Sequence, residues 1–277
     1  MKRQILSKRY FQNMDYKLIA VITGASRGIG FYTARCLIEK GYTVYDLSRK
    51  GGAEDVLWHH IDCDVSEQTS VAAAFEQICE AEGKLDLLIC NAGYGIAGAI
   101  EDTDIEQAKN QFAVNFFGAC NCIKTALPSL RASHGRIILI SSLAGPLPIP
   151  FQAYYSASKA ALNALALALA QEVKAFGVSV AIVLPGDAKS AFGTARVKTT
   201  VTASVYSNRI ARSLAVMERD ELNGMETTYV AKKIAAIACN KRVRLFNTIG
   251  FQYKLFYLLQ KLLPLSLVRF IVGKIYA

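Results

Sequence analysis

Short apolar runs alternate with longer amphipathic stretches along most of this chain, from residue 17 to about residue 250. The runs contain mainly Val, Ile and Leu, and they predict buried strands over residues 17–22, 44–47, 56–61, 85–90, 136–140, 178–184 and 243–246. Between them, apolar residues recur at helical spacing, most clearly over 29–40, 67–82, 105–117 and 157–176. This alternation predicts an α/β fold with one doubly wound parallel sheet and helices on both of its faces.

The length and composition fit a single domain. A chain of 277 residues with 52% hydrophobic content holds enough apolar material for a core on each face of the sheet. We assign residues 16–250 to this domain. Residues 1–15 form a basic N-terminal extension that lacks the apolar core of a signal peptide. Residues 251–277 form a C-terminal tail.

A glycine-rich loop follows the first predicted strand and leads into the first predicted helix. It runs from Thr23 to Gly30 and contains Gly24, Gly28 and Gly30. The N-terminus of a helix presents unpaired backbone N–H groups and the positive end of its dipole, which suits a pyrophosphate. Glycines let the backbone turn sharply and approach the ligand closely. In this strand, turn and helix context the loop predicts dinucleotide binding.

A second motif has the residues of an acid/base catalyst. Tyr155 and Lys159 lie four residues apart in a helical run, so both side chains lie on one face of the helix. A nearby cation favours the phenolate and lowers the pKa of a tyrosine towards the range of an effective general acid/base. Ser142, at the end of an apolar strand, is placed to hold the reacting oxygen by a hydrogen bond.

With these motifs the chain resembles the short-chain dehydrogenase/reductase family from about residue 17 to residue 250. The motifs that carry the resemblance occur in the family's order: the loop Thr23 to Gly30, the Asn91-Ala92-Gly93 turn, the helix asparagine Asn115, Ser142, the pair Tyr155 and Lys159, and the Pro185-Gly186 turn followed by Ser190, where a threonine is more usual. The resemblance implies a Rossmann-type catalytic domain.

The resemblance also implies a role for each matched residue. Tyr155 donates or accepts the substrate proton, Ser142 orients the carbonyl or alcohol, and Asn115 holds a water that links Lys159 to solvent. Lys159 binds the nicotinamide ribose, while Asn91 steadies the central strands. The implied cofactor-binding set is Gly24, Ser26, Arg27, Ile29, Gly30, Ser48, Arg49, Asp64, Val65, Asn91, Ala92, Gly93, Tyr155, Lys159, Pro185, Gly186 and Ser190.

The second strand predicts NADP(H) rather than NAD(H). An acidic side chain near the end of this strand pairs with a ribose 2′-hydroxyl, whereas a basic one accepts a 2′-phosphate. The family's acidic position falls on Ser48, with Arg49 next to it, and Arg27 adds a cation inside the glycine loop. Asp46 lies one full step earlier by strand alternation and should stop short of the ribose. Asp64 and Val65 resemble the pair that lines the adenine pocket.

Positive charge is concentrated at the end of the chain. Nine basic residues and no acidic one lie between residues 227 and 277, against a formal net charge of +10 for the whole protein. The tail is also rich in leucine and aromatics, but cations interrupt it and Pro264 breaks it, so no run approaches the ~20 apolar residues of a spanning helix. Two short amphipathic helices are predicted, lying either on an anionic membrane surface or over the substrate cleft or a partner subunit.

The sequence predicts neither a nucleic-acid-binding site nor a metal site, and its cysteines indicate a cytoplasmic location. Nucleic-acid binding is not predicted, because no recognition motif accompanies the charge. The seven cysteines form an odd, unpatterned set that predicts reduced thiols in a cytoplasmic protein. The three histidines show no ligand spacing, and no metal site is predicted.

Substrate choice should depend on a lid over residues 187–227. Its apolar residues face an apolar loop at residues 146–151: the lid contributes Phe192, Val197, Val201, Val205, Tyr206, Leu214 and Met217. Such walls favour a lipophilic ketone or secondary alcohol. The segment before the last strand and the leucine-rich ending are loosely similar to steroid- and retinoid-type members of the family. Hydroxysteroid, retinoid and long-chain acyl ketone substrates all stay open.

Together these features predict an NADP(H)-dependent carbonyl reductase or alcohol dehydrogenase. The alternative is a catalytically inactive nucleotide-binding regulatory or scaffold protein on the same fold. The intact set of Asn115, Ser142, Tyr155 and Lys159 favours the enzyme, because a scaffold has no need of all four. Since the family commonly pairs subunits through the helices near Ile105 and Ala160, a homodimer or homotetramer is expected.

Overall fold

The computed structural model describes residues 17–51, 56–190, 192–193, 195–199 and 205–276. The N-terminal extension 1–15 and the lid residue Val201 lie outside the described residues. Seven parallel strands form the central sheet: β1 Leu18–Thr23, β2 Tyr42–Ser48, β3 Trp58–Asp62, β4 Leu87–Cys90, β6 Arg136–Ile140, β7 Ser179–Pro185 and β11 Phe246–Ile249. Their order across the sheet is β11-β7-β6-β4-β1-β2-β3. The predicted single Rossmann-type α/β domain is thereby confirmed.

Four two-residue strands form two small sheets beside the main one. β5 (Ile96–Ala97) pairs with β9 (Val197–Lys198), and β8 (Ala188–Lys189) pairs with β10 (Met225–Glu226). These pairings tie the loops after β4 and β7 to the lid segment, at the edge where the strands of the main sheet end.

The helices lie on both faces of the sheet. They are α1 Gly28–Ile38, α2 Gln68–Glu82, α3 Ile105–Phe112, α4 Gly118–Ser133, α5 Ala153–Glu172, α6 Ser207–Leu222, α7 Thr227–Cys239, α8 Phe251–Leu262 and α9 Leu265–Tyr276. Because strand side chains alternate between faces, Ile19 and Val21 enter the core under α2, α4 and α5, whereas Ala20 and Ile22 pack with α1 and α7.

Two predicted elements differ from the structure. The last strand was expected at residues 243–246 but begins at Phe246, where it pairs with Ile182. The charged segment before Phe246 is the loop that leads into the strand. The helix expected at 105–117 ends at Phe112 and continues through one π-helical turn, Ala113–Phe117, into α4. Such turns are frequently found at functional sites, and this one contains Asn115.

The tail forms the two predicted helices, α8 and α9, on either side of Pro264. α8 packs against β11, and α9 packs against the lid helix α6. Within the described part of the chain, none of the helices combines the length and apolar character needed to cross a membrane.

Candidate active site

The glycine loop is held in place by a network of hydrogen bonds between β1 and β4. The Asn91 amide nitrogen donates to the carbonyls of Thr23 (2.9 Å) and Gly24 (3.0 Å). In return, the Thr23 hydroxyl accepts from the backbone N–H groups of Asn91 and Ala92, both at 2.9 Å. The ends of the two central strands are therefore locked together beside the N-terminus of α1.

Two glycines of this loop occupy positions that no larger residue fits. Gly24 has a φ of +68°, and a Cβ on Gly30 would lie 2.5 Å from the Gly24 carbonyl oxygen and 2.6 Å from the Asn91 amide nitrogen. The bare backbone that results, at the start of an 11-residue helix, fits a pyrophosphate. Ser26, Arg27 and Ile29 lie in the same loop, with Arg27 exposed.

At the end of β2, the one acidic side chain is already occupied. Asp46 is fully buried; its carboxylate accepts the backbone N–H of Ala25 at 2.8 Å and the Ser48 hydroxyl at 2.9 Å. It thus helps to hold the glycine loop, a role that sequence reasoning did not identify. Arg49 is exposed next to it.

The predicted adenine-pocket residues lie after β3. The Asp64 carboxylate accepts both the backbone N–H and the hydroxyl of Ser66, at 3.0 and 2.6 Å. Burial raises the pKa of Asp64, but these hydrogen bonds and the charge of Arg49 outweigh it and leave the pKa below its ordinary value. Val65 is buried against the position of Gly118.

Tyr155, Lys159 and Ser142 converge where β6 and α5 meet. α5 begins at Ala153, four residues earlier than expected, so Tyr155 lies in its first turn. The Lys159 ammonium is 5.8 Å from the centroid of the Tyr155 ring and donates to the Ile140 carbonyl at 2.8 Å. The Ser142 hydroxyl accepts the backbone N–H of Ala144 at 3.1 Å and lies close enough to the Tyr155 phenol to lower its pKa. The three groups predicted from sequence therefore share one small volume.

The pKa of Tyr155 differs from the sequence expectation. Burial raises it to about 12; the Ser142 hydroxyl and the charge of Arg196 lower it, but less. Desolvation also lowers the pKa of Lys159 to about 8. The raised pKa of Tyr155 is opposite to the expected depression of the tyrosine pKa, because burial removes water from the phenol and from the ammonium alike. Tyr155 carries its proton at neutral pH, as an acid for carbonyl reduction requires.

Asn115 connects this site to the loop after β4. Its side-chain oxygen accepts the Tyr94 N–H at 2.9 Å, and its nitrogen donates to the Tyr94 carbonyl at 2.9 Å and to the Ser158 hydroxyl at 3.1 Å. A Cβ on Gly93 would lie 3.0 Å from the Asn115 oxygen and 3.6 Å from the Lys159 nitrogen. The Asn91-Ala92-Gly93 turn thus passes directly beside Asn115 and Lys159.

The lid differs in part from its predicted apolar lining. Phe192 packs on Tyr155 with ring centroids 5.4 Å apart, and Met217 is buried, as expected of residues that line the substrate site. Val197 and Val205 are instead exposed and do not line it. Sequence reasoning also missed the buried Arg196, which pairs with Glu221 of α6. Twenty-five residues separate these two in sequence, and no local pattern marks a pair formed by the folded lid.

The turn after β7 is covered by the tail. The ring of Tyr253 in α8 lies where a Cβ on Gly186 would be, and its hydroxyl donates to Asp187 at 3.0 Å. Burial raises the pKa of Asp187, and the Tyr253 hydrogen bond partly offsets this. Pro185 ends β7, and Ser190 lies five residues further along with its hydroxyl accepting the Phe192 N–H at 3.3 Å.

The buried Lys159 makes the stability of the fold depend on pH. Its pKa of about 8 lies below the value of 10.5 for a free lysine, so the unfolded chain binds more protons between these values and stability rises with pH. Relative to Lys159→Met, which does not titrate, the wild type should gain about 2 kcal/mol between pH 7.5 and 9.5. Urea unfolding of both proteins at the two pH values measures this. An unchanged difference would show that Lys159 is not desolvated.

Comparisons with known proteins agree with this geometry. A sequence model of the family described as short chain dehydrogenase matches residues 18–200. A 3-ketodihydrosphingosine reductase of Bacteroides thetaiotaomicron is 39% identical over 235 residues, which cover 84% of this chain and 87% of that protein. The mouse 17-beta-hydroxysteroid dehydrogenase type 1 is 33% identical over 191 residues, 63% of this chain and 55% of that protein. A solved short-chain dehydrogenase from Streptomyces avermitilis is 26% identical and superimposes with a TM-score of 0.80, covering 94% of this chain and 96% of that one.

Proposed function

The chain belongs to the short-chain dehydrogenase/reductase family, and on that premise we propose that it is an NADP(H)-dependent oxidoreductase acting on a lipophilic secondary alcohol and the corresponding ketone, or on an aldehyde. The observation that carries the proposal is the convergence of Tyr155, Ser142 and Lys159 beside the glycine loop. The presence of all four residues expected of a catalyst, Asn115, Ser142, Tyr155 and Lys159, supports the enzyme over an inactive scaffold on the same fold.

The chain's own residues supply positioning and the proton. A bound nicotinamide cofactor would donate or accept the hydride, held by the glycine loop and by Lys159. In reduction, the Tyr155 phenol gives its proton to the carbonyl oxygen, and Ser142 holds that oxygen by a hydrogen bond. The Lys159 ammonium then stabilises the tyrosinate that forms, which is where its charge matters most. Oxidation uses the same groups in the opposite direction.

A long-chain acyl ketone is the substrate class that we place first. The Bacteroides relative, named for a reductase of 3-ketodihydrosphingosine, aligns with more of this chain at higher identity than the hydroxysteroid dehydrogenase does. The wall formed by Phe192 and Met217 suits an apolar chain. Incubating the purified protein with NADPH and a panel of long-chain ketones, steroids and retinal, while following cofactor absorbance, tests the function and ranks these classes. No turnover of any lipophilic carbonyl by a protein that binds NADPH would favour the scaffold.

The preference for NADP(H) is supported by the end of β2. Asp46 is engaged with Ala25 and Ser48 and is therefore not free for a ribose 2′-hydroxyl, while Arg49 and Arg27 are exposed beside the loop. We expect Arg49→Ala to weaken NADP(H) binding about tenfold and to leave NAD(H) binding unchanged, because it removes one charge-assisted contact to the 2′-phosphate. Lys50→Ala, the exposed neighbour, is the control. Titrating NADPH and NADH into the wild type and both variants measures these affinities. A wild type that already prefers NAD(H) would refute the cofactor assignment.

Pairing of subunits and a cytoplasmic location stay predictions. The pairing is supported by an apolar surface hollow of about 290 Å³ lined by Ile105, Ala108, Lys109, Phe112, Phe117 and Tyr154. Two of these residues, Ile105 and Phe117, are more than half exposed. Light scattering of the purified protein measures the oligomeric state directly.

A further inference from the structure

The tail helices α8 and α9 expose an unusual amount of apolar surface. Of the 23 large hydrophobic side chains that are exposed among the described residues, 11 belong to these two helices. We call them the tail surface: Phe251, Leu255, Phe256, Leu258, Leu259, Leu262, Leu265, Leu267, Phe270, Ile271 and Ile275. Together they expose on the order of 1,000 Å², spread over two consecutive helices.

In α8 the more apolar face is turned away from the domain. Phe251, Leu255, Leu258 and Leu262 follow the i, i+4, i+7, i+11 spacing of one helix face, and they are 85%, 45%, 53% and 70% exposed. The opposite face holds Tyr253, 6% exposed, which anchors the helix through Gly186 and Asp187. An ordinary surface helix turns its apolar face towards the core. The outward apolar face of α8 therefore indicates that another surface covers it.

The second helix continues the same surface. In α9, Leu267, Phe270 and Ile271 share one face with the spacing i, i+3, i+4, and all three are at least 42% exposed. Lys274 follows on that face, with its ammonium 5.8 Å from the centroid of the Phe270 ring. The helix packs on α6, and none of its residues is fully buried.

The charge on this surface has one sign. Lys254, Lys261, Arg269 and Lys274 are exposed among the apolar side chains, and no acidic residue occurs from residue 227 to the end of the chain. The Lys261 ammonium lies over the Tyr257 ring, 4.4 Å from its centroid, so an aliphatic stem covers aromatic surface beside its charged end. Apolar groups flanked by cations match the interface of an anionic bilayer, with acyl chains below and phosphates around them.

We propose that the tail surface docks this protein on an anionic membrane, with α8 and α9 lying in the plane of the interface. Each helix has 12 residues, about 18 Å in length, which suits a helix lying on the membrane rather than crossing it. A second copy of the chain is a poorer occupant. A two-fold interface brings the same patch of two subunits together, so it would oppose cations to cations.

The docking surface lies next to the active site. α8 covers the Gly186 turn through Tyr253, and α9 packs on α6, which carries Met217 and Glu221 of the lid. Membrane docking would therefore place the lid against the bilayer, where a lipophilic substrate is dissolved. This last consequence rests on the proposed function, whereas docking itself does not.

The full chain should sediment with vesicles of phosphatidylcholine and phosphatidylglycerol, and far less with vesicles of phosphatidylcholine alone. Leu255→Ser/Leu258→Ser/Leu262→Ser removes apolar contact, and Lys254→Glu/Lys261→Glu reverses charge; each variant should lose at least about tenfold in partitioning. Raising the salt from about 0.1 M to about 0.5 M should weaken binding as well. Leu57→Ser and Lys40→Glu, exposed residues at the far side of the sheet, are the matched controls and should bind like the wild type.

The outcomes separate docking from the alternatives. Wild type that stays in the supernatant with anionic vesicles, or tail variants that bind as well as the controls, would overturn the proposal. So would a wild-type dimer that becomes monomeric in the leucine variant without any vesicle binding, since the tail surface would then be a subunit interface. Because sedimentation needs no catalysis, a protein that docks but reduces no ketone refutes the proposed function alone.

Discussion

Replacing Tyr155 by phenylalanine should lower kcat for ketone reduction by about 10²–10⁴-fold, the usual contribution of a general acid. The phenol is buried beside Ser142 and protonated at neutral pH, since burial raises its pKa to about 12. The variant keeps the ring that packs against Phe192, so the fold and the cofactor site should persist. The measurement is steady-state turnover with NADPH, together with NADPH affinity, which should change little.

A matched control is available one residue away. Tyr154→Phe removes a phenol from the same helical turn but from the surface hollow beside Ile105 and Phe112, so turnover should stay near that of the wild type. Equal turnover of Tyr155→Phe and wild type would rule out Tyr155 as the acid. Equal losses in both variants would point to damage to α5 rather than to missing chemistry.

The second large effect is expected at Gly30. In Gly30→Ala the new Cβ would lie 2.5 Å from the Gly24 carbonyl oxygen and 2.6 Å from the Asn91 amide nitrogen. The glycine loop must therefore move, and the hydrogen bonds from Asn91 to the Thr23 and Gly24 carbonyls must break. We expect cofactor affinity to fall about hundredfold, the value of one or two charge-assisted hydrogen bonds. Overpacking should also cost about 2 kcal/mol in the free energy of unfolding.

The same substitution at Gly273 provides the comparison. Gly273 lies in α9, and a Cβ there meets nothing within 4 Å, so alanine should leave cofactor binding intact. Cofactor titration and urea unfolding of both variants measure the expected losses of affinity and stability. Unchanged affinity in Gly30→Ala would show that this loop does not form the dinucleotide cradle.

Local patterns predicted most of the framework because they act over few residues. Six of the seven strands of the sheet follow from apolar runs, and the glycine loop follows from the backbone freedom that a sharp turn needs. The spacing of Tyr155 and Lys159 placed both on α5, and the ends of parallel strands brought Ser142 beside them. These signals need no knowledge of the rest of the fold.

What sequence reasoning missed depends on contacts between distant segments. Asp46 was expected only to stop short of the ribose, but the fold brings it to the Ala25 N–H. Arg196 pairs with Glu221 only because the lid folds back on itself. Tyr253 contacts Gly186 only because the tail packs over the end of β7. The pKa of Tyr155 was predicted from Lys159 alone, whereas burial under the folded lid has the larger effect. Each of these needs the tertiary structure.

Transfer of an isotope from cofactor to product tests the proposed reaction itself. With NADPH deuterated at the nicotinamide C4 position, the wild type should deliver one deuterium to the carbinol carbon of a reduced long-chain ketone, detected by mass spectrometry. Tyr155→Phe, which still binds NADPH, should form at least about a hundredfold less labelled alcohol in the same time. Labelled alcohol formed equally fast by both proteins, or none formed from any lipophilic carbonyl by a wild type saturated with NADPH, would contradict it.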